Sequence, residues 1–207
     1  EALRGAIATK DRERIHYHHL DLLESGSCET FLSEVTRTYS RIDVLVNNAG
    51  INKVAPITEA EIADFEGTLA VNLVGPFKLM KEVGAMMKQH RYGRIVNVAS
   101  IFGVVARDKR VPYVTSKTAL VGLTRAAAID LAPNNILVNA VSPGFVLTDM
   151  TRKMLSDGER EALVAKVPLR RCAEPEEIAR VVLFLASEHN TFITAQNIIV
   201  DGGFTSI

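Results

Sequence analysis

Apolar and polar positions follow two rhythms that alternate along this chain. Short apolar runs rich in β-branched residues predict buried strands at residues 15–20, 42–47, 94–99, 137–141 and 197–200. Between them, spacing near 3.6 predicts helices at 27–39, 59–90 with a break, 112–131 and 175–187. The punctuation agrees with these limits. Thr58 with Glu61 three residues on reads as a capping box, Pro112 suits a first helical position, and Pro133-Asn134-Asn135 reads as a stop. The polar stretch 148–167, interrupted by Gly158, predicts one or two short helices over whatever site the sheet carries. Strand alternating with helix predicts an α/β fold: a doubly wound parallel sheet with helices on both faces, in one domain over 1–207.

Composition narrows the class. With 207 residues, 47% of them hydrophobic, the chain can bury a sizeable single core. Lys plus Arg and Asp plus Glu are 24 each, so no overall field draws in nucleic acid or an anionic membrane surface. Cys28 and Cys172 show no metal-ligand spacing and make no disulfide framework, which fits a reducing compartment. The most apolar helical stretch, 178–186, is short and contains Arg180, and no leading run resembles a signal peptide. A cytoplasmic protein is the expectation. His16, His18 and His19 suggest a metal cluster, but strand alternation sends His16 and His18 to one face and His19 to the other. No metal site is expected.

The chemistry concentrates at the predicted strand ends. Ser100 follows the apolar run 94–99, and the C-terminal ends of strands are where open α/β sheets place ligands. Tyr113 and Lys117, at i and i+4, share one helix face, so an ammonium beside the phenol is expected to favour its ionised form. A free phenol, with a pKa of about 10, is a poor base at neutral pH. Asn72 stands four residues before Pro76, which has no N–H for the Asn72 carbonyl; a kink and a carbonyl able to hold a water are expected there. Asn47-Asn48-Ala49-Gly50 ends another strand, where Gly50 permits close backbone approach or a positive φ. Pro143-Gly144 ends a third, where glycine would allow packing against a planar ring. Each feature alone has a plainer reading as a turn, a cap or a surface pair.

Taken in order, Asn47-Asn48-Ala49-Gly50, Asn72, the Ser100/Tyr113/Lys117 set and Pro143-Gly144 with Thr148 resemble the short-chain dehydrogenase/reductases. The resemblance runs from about Ile15 to Asp201-Gly202-Gly203 and is closest to the 3-oxoacyl-[acyl-carrier-protein] reductases, as in VSPGFVLTDMT. It implies a Rossmann-like fold and reversible reduction of a carbonyl to a secondary alcohol with NADP or NAD. It further implies that Ser100 holds the carbonyl oxygen and Tyr113 exchanges the proton. Lys117 would lower the Tyr113 pKa and hold the nicotinamide ribose, while Asn72 would position a relay water. Cofactor contacts are implied at Asp21, Leu22, Asn48, Ala49, Gly50, Tyr113, Lys117, Pro143, Gly144, Val146 and Thr148.

For substrate, the resemblance implies a small-molecule or acyl-thioester ketone, with acyl carrier protein as a partner through Arg91. A second basic position used by such reductases falls on Asn134 here, and 105–111, with Ala-Arg-Asp-Lys-Arg at its centre, is unusually charged. A sugar or polyol of surface-polysaccharide metabolism is therefore the alternative substrate. Family habit also implies a homodimer or homotetramer through the helices at 59–90 and 112–131.

The beginning of the sequence departs from the pattern. Residues 1–10 read as a helix tail without an initiator Met, and only Gly5 and Gly26 precede Gly50, so the glycine-rich phosphate turn is missing. In the family's strand order two further strands separate residues 15–20 from 42–47. Without them the sheet is split, and its open apolar edges favour aggregation. The expectation is that the sequence starts partway into a longer protein; the alternative is a cofactor-free scaffold or binding relative.

Overall fold

The computed structural model describes residues 14–148 and 157–206. Helix α1 (Ser27–Thr38) leads into strand β1 (Val44–Asn47), and helices α2 (Ile62–Leu69) and α3 (Gly75–His90) carry the chain to β2 (Gly93–Val98). Helix α4 (Val111–Leu131) leads to β3 (Ile136–Pro143), and α5 (Asp157–Val164) and α6 (Pro175–Ala186) precede β4 (Asn197–Val200). The four strands form one parallel sheet in the order β1-β2-β3-β4. Parallel neighbours need crossovers, which is why a helix stands between each pair of strands.

Side-chain alternation in the central strands builds two cores. Ile95, Ile136 and Val138 face Leu79, Met80, Val83 and Met87 of α3 and Ala128 of α4. Val96 and Val141 face the other way, against Ile178 and Leu185 of α6. A strand covered on both faces is apolar at nearly every position, as β2 and β3 are. These apolar runs are the signal that locates the strands in the sequence.

Most polar side chains inside the sheet are hydrogen-bonded to one another or to backbone, with Asn47 Oδ1 and Arg94 Nε the buried atoms left without a partner among the described residues. Asn47 Nδ2 donates to Asn97 Oδ1 at 2.8 Å, and Asn97 Nδ2 donates to Thr124 Oγ1 at 2.9 Å, tying β1, β2 and α4 together. Asn139 Nδ2 donates to the Ile193 carbonyl at 2.7 Å while its Oδ1 accepts from Gln196 N–H at 3.1 Å. A buried amide left unpaired costs about 1–3 kcal/mol, so such networks fix the register of the strands they join.

Two local expectations are corrected. Residues 15–20 pair with no strand among the described residues. The alternation survives, since His16 and His18 both meet Tyr39 (ring centroids 6.2 and 6.5 Å), but the segment packs on α1 by its rings instead of joining a ladder. A strand needs a neighbour to exchange hydrogen bonds with, and none lies beside it among the described residues. Thr58 and Glu61 form no capping box; the helix starts at Ile62 with no side-chain cap, because residues 57–59 close a separate turn through Glu59 N–H to Pro56 O. A cap of that type occurs instead at α6, where Glu177 accepts from Glu174 N–H at 2.9 Å. Of the helices expected over 148–167, α5 is present; residues 149–156, and the helix tail expected at 1–10, lie outside the described residues.

The outer side of β1 is open among the described residues. Val44 and Val46 are each 41% exposed and, with Val182 and Leu183 of α6, line an apolar groove. No helix of the described residues is long and apolar enough to cross a membrane, and no group of three or more His, Cys, Asp or Glu among them could hold a metal.

Candidate active site

Every strand ends at the same edge of the sheet, because all four run the same way. That edge gathers Asn48-Ala49-Gly50 after β1, Ser100 after β2, Pro143-Gly144 at the end of β3 and Asp201 after β4. Ser100 is extended, and its Oγ accepts the Phe102 N–H at 3.1 Å, capping the short 3₁₀ turn Ile101–Gly103. Gly103 is required by close approach: a Cβ there would stand 2.9 Å from the Lys117 carbonyl oxygen. The missing side chain lets the Ser100 turn rest directly on α4 where that helix carries Tyr113 and Lys117.

Lys117 is 3% exposed. Its Nζ donates to the Val98 carbonyl at 2.8 Å and lies 5.6 Å from the centre of the Tyr113 ring. Burial lowers its pKa to about 8. An ammonium has three donors, and the Val98 carbonyl takes one. Among the described residues the remaining N–H directions have no protein acceptor, which suits ribose hydroxyls.

Tyr113 behaves differently from the sequence expectation. Burial pushes its pKa above the ordinary value, while hydrogen bonding by the Ser100 hydroxyl and the Arg110 charge pull it back in part. Lys117 is not among the groups that lower it; the Lys117 ammonium faces the ring and gives one N–H to Val98, while the phenol oxygen meets Ser100. Shared position on a helix face brings the two side chains together but does not fix which atoms meet. At neutral pH Tyr113 holds its proton and is an acid.

Asn72 is fully buried in a π-helical turn, Ala70–Val74, where Gly75 N–H reaches back five residues to the Ala70 carbonyl. The break expected from Pro76 is therefore a widened turn between α2 and α3. The Asn72 side chain is fully engaged: Oδ1 accepts from Ile51 N–H at 2.8 Å, and Nδ2 donates to Ile51 O at 2.9 Å and Ser116 Oγ at 3.0 Å. It pins the chain just beyond Gly50. Gly50 does not take a positive φ; its backbone lies close to Asn72 and Lys117, and a Cβ there would stand 3.4 Å from both Asn72 Oδ1 and Lys117 Nζ.

Gly144 serves packing within the protein. A Cβ there would stand 2.7 Å from the Asp201 Cα, so the glycine lets the end of β3 lie against the turn after β4. Val146 pairs with Ala173, and Thr148, exposed, donates its N–H to Val146 O at 2.9 Å. At the far side, Asp21 Oδ1 accepts from Leu23 N–H at 2.9 Å in a local turn, and Leu22 lies against Gly75 at the start of α3. Arg91 is remote from Ser100. It precedes β2 while Ser100 follows it, and a six-residue strand spans about 20 Å.

Several neighbours were not singled out by motif. Ser116 links Asn72 to the Tyr113 carbonyl, to which its Oγ donates at 2.8 Å. The Phe102 ring stands edge-on to Tyr113 (6.4 Å) and to Phe145 (6.5 Å). Arg110 falls on the stripe of Tyr113 and Lys117 at i, i+3, i+7, a spacing visible in the sequence.

The arrangement fits the nicotinamide and ribose half of a dinucleotide: an open strand-end shelf at Asn48-Ala49-Gly50, a buried cation with donors to spare, and an acid beside a hydroxyl. Comparison with known proteins agrees. Residues 2–205 match the family described as Enoyl-(Acyl carrier protein) reductase. The 3-oxoacyl-[acyl-carrier-protein] reductase FabG of Aquifex aeolicus (strain VF5) is 40% identical over 203 residues, 98% of this chain and 82% of that protein. The structure of ElxO with NADP bound superposes with a TM-score of 0.89 at 32% identity, covering 95% of this chain and 80% of that one. A gluconate 5-dehydrogenase from Burkholderia cenocepacia J2315, in complex with NADP and tartrate, gives 0.86 at 31% identity, covering 91% and 74%.

Proposed function

The chain belongs to the short-chain dehydrogenase/reductase family and is an NAD(P)-dependent oxidoreductase of carbonyl and alcohol groups; from that premise we propose that Ser100, Tyr113 and Lys117 carry the reaction. The observation that supports this most is the buried cluster itself, a protonated phenol between a serine hydroxyl and a desolvated ammonium at the sheet's C-terminal edge. When bound, the nicotinamide supplies the hydride that the carbonyl carbon accepts. Ser100 Oγ–H donates to the carbonyl oxygen, and Tyr113 Oη–H gives that oxygen its proton, leaving a secondary alcohol and a phenolate. Lys117, held by Val98, stabilises the phenolate and binds the ribose. Asn72 holds the Ile51 backbone in place, and its carbonyl, which Pro76 cannot bond as a regular helix would, holds the water that returns the proton.

The cofactor lies along Asn48, Ala49, Gly50, Pro143, Gly144, Val146 and Thr148, with Asp21 and Leu22 at its adenine end. The preferred substrate is a 3-oxoacyl thioester, in keeping with the 40% identity to a reductase of that class. The chain works as a single domain in the cytoplasm and assembles as a homodimer or homotetramer; Val74 and Phe77 of the π turn and α3, 44% and 50% exposed, suit such a contact. A carrier protein that docks through Arg91 does so away from the Ser100 of the same subunit.

A second reading, a polyol or sugar-derived substrate, is favoured by the charged approach to Tyr113 at residues 107–110 and by the likeness to a gluconate 5-dehydrogenase. Initial rates on acetoacetyl-CoA and on a panel of keto sugars separate the two. Faster turnover of acetoacetyl-CoA supports the thioester, faster turnover of a keto sugar supports the second reading, and no turnover of either contradicts both.

A further inference from the structure

Three phenylalanine rings stand in a row at the strand-end edge of the sheet. Phe102 is edge-on to Tyr113 at 6.4 Å and to Phe145 at 6.5 Å, and Phe145 is edge-on to Phe204 at 5.0 Å. These separations and tilts are those of attractive ring pairs. All three rings are half-buried, and none joins the core clusters of the described residues. Apolar rings that gather outside the core and keep part of their surface free mark a binding wall.

The row is held from both ends. At one end Phe102 N–H donates to Ser100 Oγ at 3.1 Å, within the turn that Gly103 seats on α4. At the other, Asp201 accepts from Gly203 N–H at 2.9 Å and from Thr205 N–H and Oγ1 at 2.7 Å each, fixing the turn that lays Phe204 on Phe145. Phe145 itself stands two residues past the end of β3. Phe102 thus borders both groups proposed to hold the substrate oxygen, through its backbone at Ser100 and its ring at Tyr113. A carbonyl carbon within reach of both hydroxyls carries its substituents within a few bonds of that ring. The ring gives a hydroxylated chain no hydrogen-bond partner to replace water, whereas an alkyl or aryl group gains by leaving water there.

We propose that Phe102, backed by Phe145 and Phe204, is a specificity-determining residue: its ring is the wall against which the substrate lays an apolar group attached to the carbon that reacts at Tyr113. The preferred ketone carries an alkyl or aryl group on that side and not a polyhydroxylated chain. The inference rests on Ser100 and Tyr113 marking the reacting centre, and it favours the first of the two substrate readings.

The test lengthens that group one methylene at a time. Rates of NADPH-dependent reduction are measured for the N-acetylcysteamine thioesters of 3-oxobutanoate, 3-oxopentanoate and 3-oxohexanoate. Each added methylene is expected to raise wild-type kcat/KM about fourfold, chiefly through KM. Phe102→Leu should keep most of that gain, and Phe102→Ala should reduce it below about twofold. Phe102→Gln, polar and closer in size, should do the same and serves where the alanine variant does not fold. Any shift of the Tyr113 ring is common to the three thioesters and cancels in the gain per methylene. A wild type indifferent to chain length overturns the proposal, as does an equal gain in wild type and whichever of the two variants folds. Calorimetric titration of the matching 3-hydroxyacyl thioesters into NADPH-loaded protein, where no hydride can move, reads the same gain without turnover. A gain in affinity that Phe102→Ala or Phe102→Gln removes, with no reduction of any thioester, sustains the wall and removes the hydride-transfer reading. Reduction with a gain unmoved by these variants does the reverse.

Discussion

Tyr113 and Lys117 are buried side by side, and burial drives both towards their neutral forms. For Tyr113 this keeps the proton in place at neutral pH, as proton donation in the reducing direction requires; the oxidising direction needs it removed and is helped by higher pH. For Lys117 the fall from 10.5 to about 8 has a consequence for stability. Between about pH 8 and 10.5 the unfolded lysine binds a proton that the folded one has released, so this group's contribution to stability rises with pH across that window. Below about pH 8 both forms are protonated and the cost of burying the ammonium is fully present. Urea unfolding at pH 7.5 and 9.5 should therefore show wild type gaining stability relative to Lys117→Met as pH rises. No relative gain would mean that Lys117 is better solvated than its 3% exposure implies. The spacing of Ser100, Tyr113 and Lys117 was legible in the sequence because strand end and helix face fix where side chains start. The direction of the Tyr113 shift was not, since it depends on burial and on which atoms meet.

At the scale of elements, the stretch from Ala70 to Val74 shows what a missing N–H does. Pro76 interrupts the regular ladder, the helix widens by one residue, and Asn72 turns inward to serve the chain after β1. That break could be read from two residues; the side-chain partners of Asn72 could not, because Ile51 is distant in sequence. Asn72→Ala leaves the Ile51 N–H and carbonyl without their partner, and each such loss costs about 1–3 kcal/mol. The expected outcome is a lower urea midpoint together with weaker NADPH binding, because Gly50 loses its anchor. A variant as stable as wild type and with unchanged cofactor affinity would show that the Ile51 contacts are dispensable. The capping box expected at Thr58 failed for a related reason: the pattern was present, but the chain used those residues for a turn at Pro56.

At the scale of the molecule, the order β1-β2-β3-β4 and the helices on both faces follow from strands that are apolar throughout and separated by helical spacing. What the alternation could not supply is a partner for residues 15–20, whose strand-like pattern is real but whose hydrogen bonds find no neighbour among the described residues. Among the described residues β1 likewise presents an exposed apolar edge beside Val182 and Leu183. Such edges promote pairing between chains, and a charge on them suppresses it. Static light scattering at rising concentration should show self-association reduced in Val46→Lys; scattering equal to wild type would show that this edge is not what brings chains together.

In the proposed reaction Tyr113 exchanges the proton of an NAD(P)-dependent carbonyl reduction. The most direct measurement is single-turnover oxidation of bound NADPH by a ketone substrate in wild type and Tyr113→Phe, with NADPH affinity determined in parallel. Removing the hydroxyl deletes the proton donor and leaves the ring packed against Phe102. The rate is predicted to fall by at least about a hundredfold, the lower range for loss of a general acid, with NADPH affinity within about threefold of wild type. A Tyr113→Phe protein that binds NADPH and oxidises it at a rate comparable to wild type would contradict the account.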